Sequence, residues 1–355
     1  MFSLFEQITH LPAHFLFLGT LGVGIVIVLA GSWLSRLGDK LAEITGLSSS
    51  WIGIILLATI TSVPELAATF TSVAAGVKDI GVGNVFGSNM FNMFIIAILD
   101  FLQGPGPVML SVSATQILPA AQGIFLMALA AAGIFAVQSS PEADGEYLGW
   151  LFSSLLLISW VVGTFITFRS EQATVSDDEY RRKPNRKELR KIIINFGIAT
   201  TIVIIAGIIL IAFAKGIAQA QFHIGKLTFQ LGNSFAGTII VAIVTSLPEL
   251  VVSISAYRIG AVNMAIANLF GSNTYNMLLI PIMEIITPKQ SIFSGLQNVH
   301  LITACFAIIL TSVAIMGVVY RSRKSILYLG WDALAILGFF LLGNYIFFTI
   351  AISVH

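Results

Sequence analysis

Charge is what this chain has least of. Only 10% of its 355 residues are Asp, Glu, Lys or Arg, while 57% are hydrophobic. A soluble globular domain carries about a quarter charged residues, so the shortfall excludes a soluble protein and indicates an integral membrane one. The net charge of +1 and the lack of a basic surface tract give no support to a nucleic-acid partner. Cysteine is nearly absent as well. The single Cys305 lies in an apolar run, which excludes an intramolecular disulfide and a cysteine-based metal cage; it reads as a small buried hydrophobe. Lys and Arg are missing from MFSLFEQITHLPAH, ahead of the first apolar run, so the charged region of a cleavable signal peptide is not expected. The histidines, His10, His14, His223, His300 and His355, fall in loops or near span ends and suggest no proton relay.

What remains is apolar length. A bilayer-spanning helix needs about 20 mostly apolar residues, and ten such stretches can be placed. They run near 14–36, 50–76, 80–102, 113–137, 147–168, 192–214, 234–259, 263–286, 297–320 and 327–351. The longest polar segment, 169–191, divides the chain into a first five-span half (1–168) and a second (192–355). The expected fold is therefore an all-α polytopic membrane protein of ten transmembrane helices. Of its 18 Lys and Arg, all but Lys78, Lys215, Lys226 and Lys289 fall on the side of the 169–191 loop. Positive-inside asymmetry makes that loop a cytoplasmic linker and puts both termini outside.

The two halves share a repeat. Residues 61–93 read TSVPELAATFTSVAAGVKDIGVGNVFGSNMFNM, and residues 245–277 read TSLPELVVSISAYRIGAVNMAIANLFGSNTYNM. They align without a gap at an offset of 184, with 13 of 33 positions identical. The identities include Pro64/Pro248, Glu65/Glu249, Asn84/Asn268, Ser88/Ser272, Asn89/Asn273 and Asn92/Asn276. With five spans per half, an odd number, the copies must cross the membrane in opposite directions, as inverted five-helix repeats do.

Pro64 and Pro248 lie inside predicted spans. Proline has no N–H to donate and its ring clashes with the preceding turn, so each helix must kink or unwind there. Freed carbonyls at membrane depth are tolerated only where they line a cavity or find a partner. Around the two breaks stand Thr61, Ser62 and Glu65, and Thr245, Ser246 and Glu249. Carbonyl, hydroxyl and carboxylate oxygens are the ligands of hard cations. Asn84, Ser88 and Asn92 are spaced four apart and share one helix face; Asn268, Ser272 and Asn276 repeat it. An isolated Ser or Asn in such a helix would serve helix–helix hydrogen bonding, but six at this spacing opposite two glutamates suggest a binding wall.

The glutamates carry most weight. An ionised carboxylate at the bilayer centre costs at least about 2.5–3.5 kcal/mol, and no Lys or Arg lies deep enough to pair with Glu65 or Glu249. One divalent ion, two or more monovalent ions, or protons could neutralise the pair, and that choice is itself an exchange mechanism. Asp100 and Glu284, also 184 apart, fall near the span ends. They read either as solvated interfacial acids or as mouth carboxylates that concentrate cations.

TSVPEL/TSLPEL with GNVFGSNMFN/ANLFGSNTYN resembles the two alpha-repeats of the cation/calcium antiporter superfamily, nearest its sodium/calcium exchanger branch. The resemblance implies that the first and sixth spans slide across a bundle of the other eight. It implies a calcium site from the carboxylates of Glu65 and Glu249 with the carbonyls of Thr61 and Thr245. It further implies one sodium site at Ser88, Ser246 and the carbonyl of Ala242, and another at Ser62, Ser272 and the carbonyl of Ala58. Asn92 and Asn276 would face the middle. The potassium-dependent branch carries Asp where this chain has Asn276, so potassium independence is implied. Ile60 and Val244 stand where the family usually has Gly, and the calcium-sensing insert of animal exchangers is absent.

The expected function is sodium/calcium antiport across the plasma membrane by alternating access, with Ca²⁺ and Na⁺ as transported partners in a lipid bilayer and no cofactor. A proton/calcium exchanger of the same fold is the nearest alternative, and the hydroxyl-rich repeat favours sodium. A channel fits the duplicated, broken helices less well. An intramembrane enzyme lacks a base at its serines other than the glutamates.

Overall fold

The computed structural model describes residues 8, 11–74, 76–174, 186–219, 221–224, 227–230, 242–287, 290–321, 325–326 and 329–353. The chain is mostly helical, and helix occurs within each of the ten predicted stretches. Helix α1 spans Ala13–Thr45 and ends at Gly46 (φ 69°). The second stretch, α2, is a continuous run of Ser49–Trp51, a π-helical segment Ile52–Leu57 and Ala58–Thr61. After a break at Ser62 come α3 (Val63–Ala74), α4 (Lys78–Gln103), α5 (Ile117–Gln138) and α6 (Glu142–Thr174). The second half holds α7 (Arg186–Gln219), a helical turn at 242–245, α8 (Leu247–Arg258), α9 (Val262–Ile286), α10 (Val299–Tyr320) and α11 (Trp331–Ser353).

Seven described helices are long and apolar enough to cross a membrane. The outermost of them show why. Leu18, Leu21 and Leu29 on α1, and Val161 and Phe165 on α6, leave large apolar side chains exposed, a surface suited to lipid rather than water. The polar segment 169–191 is helical at both ends, where α6 runs to Thr174 and α7 starts at Arg186. Its middle, 175–185, and the first part of the seventh predicted stretch, 234–241, lie outside the described residues.

One feature departs from the all-helical expectation, and one residue from its expected burial. Two antiparallel β-ribbons occur, β1 (Gln221–Ile224) with β2 (Leu227–Gln230), and β3 (Ser325–Ile326) with β4 (Leu329–Gly330). QFHI and LTFQ alternate apolar and polar residues about a Gly-containing pair, which is a hairpin signal. Cys305 is exposed on α10 instead of buried, because α10 directs its contacts to α4, α5 and α11 and leaves that face free.

The core is built from α4 and α9, which cross each other and carry buried side chains around most of their circumference. The α3 and α4 helices are joined by Gly76 (φ 77°), and α8 and α9 by Gly260 (φ 86°). At the first joint, Gly76 N–H donates to the Val73 carbonyl and Val77 N–H to the Ser72 carbonyl. At the second, Gly260 N–H donates to the Tyr257 carbonyl and Ala261 N–H to the Ala256 carbonyl. The two turns thus repeat bond for bond at the 184-residue offset, and both need the left-handed backbone that glycine adopts without strain. Outside this core, α1 packs along α7, with α8 against α1 and α3 against α7.

Candidate cation site

Each proline sits in the first turn of a new helix rather than in the middle of an old one. The helical run pauses at Ser62 (ψ 6°) and at Ser246 (ψ 7°), and α3 and α8 begin at the next residues. In a first turn the missing proline N–H has no partner to lose. The same placement puts Glu65 and Glu249 in the first turns of α3 and α8, where the positive end of the helix dipole favours a carboxylate.

Both glutamates are fully buried, with 0% exposure. They are cross-linked between the copies. Ser62 Oγ donates to Glu249 Oε1 and Ser246 Oγ to Glu65 Oε1, both at 3.0 Å. Ser88 Oγ donates to Glu65 Oε1 and Ser272 Oγ to Glu249 Oε1, both at 3.4 Å. The Thr61 hydroxyl lies 3.5 Å from that of Ser272, and the Thr245 hydroxyl 3.5 Å from that of Ser88. Every one of these bonds has a counterpart 184 residues away.

A second tier consists of amides. Asn92 Nδ2 donates to Asn273 Oδ1 at 3.0 Å, and Asn276 Nδ2 to Asn89 Oδ1 at 2.9 Å. Asn84 and Asn268 tie α4 to Thr69 and α9 to Ser253 at 3.5 and 3.0 Å, again 184 apart. The symmetry breaks at one contact: Thr245 Oγ1 donates to Asn84 Oδ1 at 3.2 Å, whereas Asn268 Oδ1 has no partner among the described residues.

The decisive observation is what these groups leave unpaired. Glu65 Oε2, Glu249 Oε2, Asn92 Oδ1 and Asn276 Oδ1 are buried oxygens with no hydrogen-bond partner among the described residues. Buried acceptors are normally satisfied, and an unpaired buried carboxylate is costly. No described Lys or Arg hydrogen-bonds either glutamate. Four acceptor oxygens, two of them anionic, are of the kind that hard cations take as ligands.

All twelve residues expected from sequence are buried, each 4% exposed or less; hydrogen bonds gather Ala58, Thr61, Ser62 and Ser272 around Glu249, and Ala242, Thr245, Ser246 and Ser88 around Glu65, while Asn92 and Asn276 bond to Asn273 and Asn89. The Ala58 and Ala242 carbonyls already accept from the Ser62 and Ser246 N–H groups and from the Thr61 and Thr245 hydroxyls. Ile60 is buried, and Val244 packs with Ile27 of α1 and with Ala206 and Leu210 of α7. Asn89 and Asn273 were not among the expected site residues, although their identity across the repeat was the available signal.

Asp100 and Glu284 differ from both of their readings. They are fully buried, neither solvated nor at a mouth. Asp100 accepts from the N–H groups of Val108 and Gly330. Glu284 accepts from the Ile292 N–H at 2.9 Å and from Ser291 Oγ at 3.3 Å. The loops after α4 and α9 fold back over the helix ends, and these acids hold them there through otherwise unpaired backbone donors. His300, also buried, has Nε2 at 2.9 Å from Asp79 Oδ1, fastening α10 to the start of α4.

The chain is similar to several known proteins. The chain is 26% identical over 273 residues to the inner membrane protein YrbG of Escherichia coli, covering 75% of this chain and 78% of that one. It is 25% identical over 302 residues to the putative antiporter CaxA of Alkalimonas amylolytica, covering 82% and 88%. To the sodium/calcium exchanger MaX1 of Methanosarcina acetivorans it is 25% identical over 295 residues, covering 73% and 79%. The solved structure of the sodium-calcium exchanger NCX_Mj superposes with a TM-score of 0.68 at 20% identity, over 93% of this chain and 98% of that one, so the fold is shared. Residues 15–169 and 198–354 match the sodium/calcium exchanger protein family, a family of transporters and not of enzymes, and the chain belongs to it.

Proposed function

We propose that this chain exchanges Na⁺ for Ca²⁺ across a cell membrane by alternating access, without potassium. The observation that carries the reading is the set of four unpartnered buried oxygens on Glu65, Glu249, Asn92 and Asn276. Two carboxylates match the charge of one Ca²⁺, and the same pair with the serine and threonine hydroxyls around it can instead hold Na⁺. The order in which these occupants alternate makes the exchange obligatory. Family membership and the names of the relatives MaX1 and CaxA support antiport.

In this reading the ten helical stretches are ten spans, arranged as two inverted five-helix repeats (1–168 and 192–355) with the 169–191 linker in the cytoplasm and both termini outside. The repetition of the glutamate and amide bonds across the 184-residue offset supports inversion. So does the pairing of α1 with α7, the two long helices that would slide over the rest. Asn276 and Asn92 add no negative charge to the glutamates. A K⁺ bound beside Ca²⁺ would therefore set three positive charges against two carboxylates in a region of low dielectric, where such imbalance is costly.

Calcium uptake into proteoliposomes under sodium, proton and potassium gradients tests this. Outward sodium should drive uptake, and removing K⁺ from both sides should leave it unchanged. Uptake driven by protons and not by sodium would replace the reading with proton/calcium exchange.

A further inference from the structure

Four asparagines, Asn89, Asn92, Asn273 and Asn276, close a ring where α4 crosses α9. Asn89 Nδ2 donates to the main-chain carbonyl of Asn273 at 3.4 Å, and Asn273 Nδ2 to that of Asn89 at 3.3 Å. A main-chain carbonyl can only accept, so each of these two amides has its nitrogen fixed toward the other helix and its oxygen fixed on the opposite side. Those oxygens take Asn276 Nδ2 (2.9 Å) and Asn92 Nδ2 (3.0 Å). The nitrogens of Asn276 and Asn92 are thereby held away, and their oxygens are the ones left without a partner. The direction of the relay is set at both ends by backbone and cannot reverse without setting a buried amide oxygen against a main-chain carbonyl oxygen.

We infer that Asn89 and Asn273 are positioning residues that lock the side-chain amides of Asn276 and Asn92 with oxygen, never NH₂, presented to the ion. An unlocked amide can turn about its last bond and offer two N–H donors, which repel a cation. Oxygen-only presentation is thus a specificity device, and it lies in residues that offer no free oxygen of their own. Serine, threonine and glutamate need no such partner, because a hydroxyl or a carboxylate can always turn an oxygen to a cation. The inference rests on the reading of the site as a cation site.

The test is a pair of double-mutant cycles read by radiolabelled calcium binding to the purified full-length protein. Asn89→Leu removes the acceptor that holds Asn276 and is expected to raise the half-saturating calcium concentration about tenfold. In an Asn276→Ser background, which keeps an oxygen but has no amide to orient, the same change should matter less than about twofold. Asn273→Leu with Asn92→Ser repeats the cycle across the two-fold, and Asn89→Ser replaces Asn89→Leu if the leucine variant does not fold. Equal effects of Asn89→Leu in both backgrounds would overturn the inference by showing a role in general packing. Wild-type protein that binds calcium without sodium-driven uptake would refute the exchange reading while leaving the cycles decisive. Wild-type protein that binds none of Ca²⁺, Sr²⁺, Na⁺ or K⁺ would overturn both.

Discussion

In the proposed exchange the chemistry turns on the side chains of Glu65 and Glu249. Each keeps one oxygen bonded to serines and one free, so each is half pinned and half available. Glu65→Gln and Glu249→Gln should each abolish calcium transport while leaving a folded protein, since the amide can still accept the serine bonds through its oxygen. Losing one partner of a buried charge pair costs about 3–5 kcal/mol, equivalent to roughly 150- to 5,000-fold in affinity. Near-normal uptake by either folded variant would remove the glutamates from the site. Asn276→Asp tests the potassium argument at the same scale. A third acid supplies the charge that a co-transported K⁺ lacks, so uptake by this variant should become sensitive to K⁺ or to pH, and an unchanged response to both would count against the charge-balance reasoning.

Elements bring these residues within reach by close approach of backbones. A Cβ on Gly271 of α9 would lie 2.5 Å from the Ile54 carbonyl oxygen and 2.9 Å from Ala58 Cβ. The π-helical segment Ile52–Leu57 and the turn bearing Ala58 therefore lie directly on α9, in the manner of small-residue membrane interfaces. Among the described residues, a Cβ on the symmetry-related Gly87 would lie 3.1 Å from Ala242 Cβ. Gly271→Ala should consequently lower the thermal unfolding midpoint in detergent, by an overpacking cost of about 1–3 kcal/mol. An unchanged midpoint would show that this interface yields to the added methyl group. A π segment next to a binding site is also where such segments are most often found. Here it shifts the register of α2 just before the break, so that Thr61 and Ser62 meet Ser272 and Glu249.

At the scale of the whole molecule the proposed inversion has a direct consequence. Ser62 and Ser246 occupy equivalent places on opposite sides of the two-fold, so they should open to opposite sides of the membrane. In a Cys305→Ala background, made simple by the exposed position of Cys305, Ser62→Cys and Ser246→Cys should react with membrane-impermeant thiol reagents from opposite faces. Reaction of both from one face under every ionic condition would contradict inverted alternating access.

The sequence by itself determined the class of the molecule and the residue types of its candidate site. Scarce charge and long apolar runs dictate membrane helices, because a bilayer tolerates little else. The gapless repeat picks out Thr61, Ser62, Glu65, Ser88 and Asn92 with their counterparts, because polar residues survive at membrane depth only with a task. Tertiary structure alone decided how the two copies interlock. That Ser62 serves Glu249 and Ser246 serves Glu65, that Asn89 and Asn273 bond across α4 and α9, and that Asp100 and Glu284 are buried loop anchors are matters of three-dimensional approach. Each depends on which donor a folded chain brings to a given oxygen, and residues 181 or 187 apart along the chain carry no local trace of that pairing.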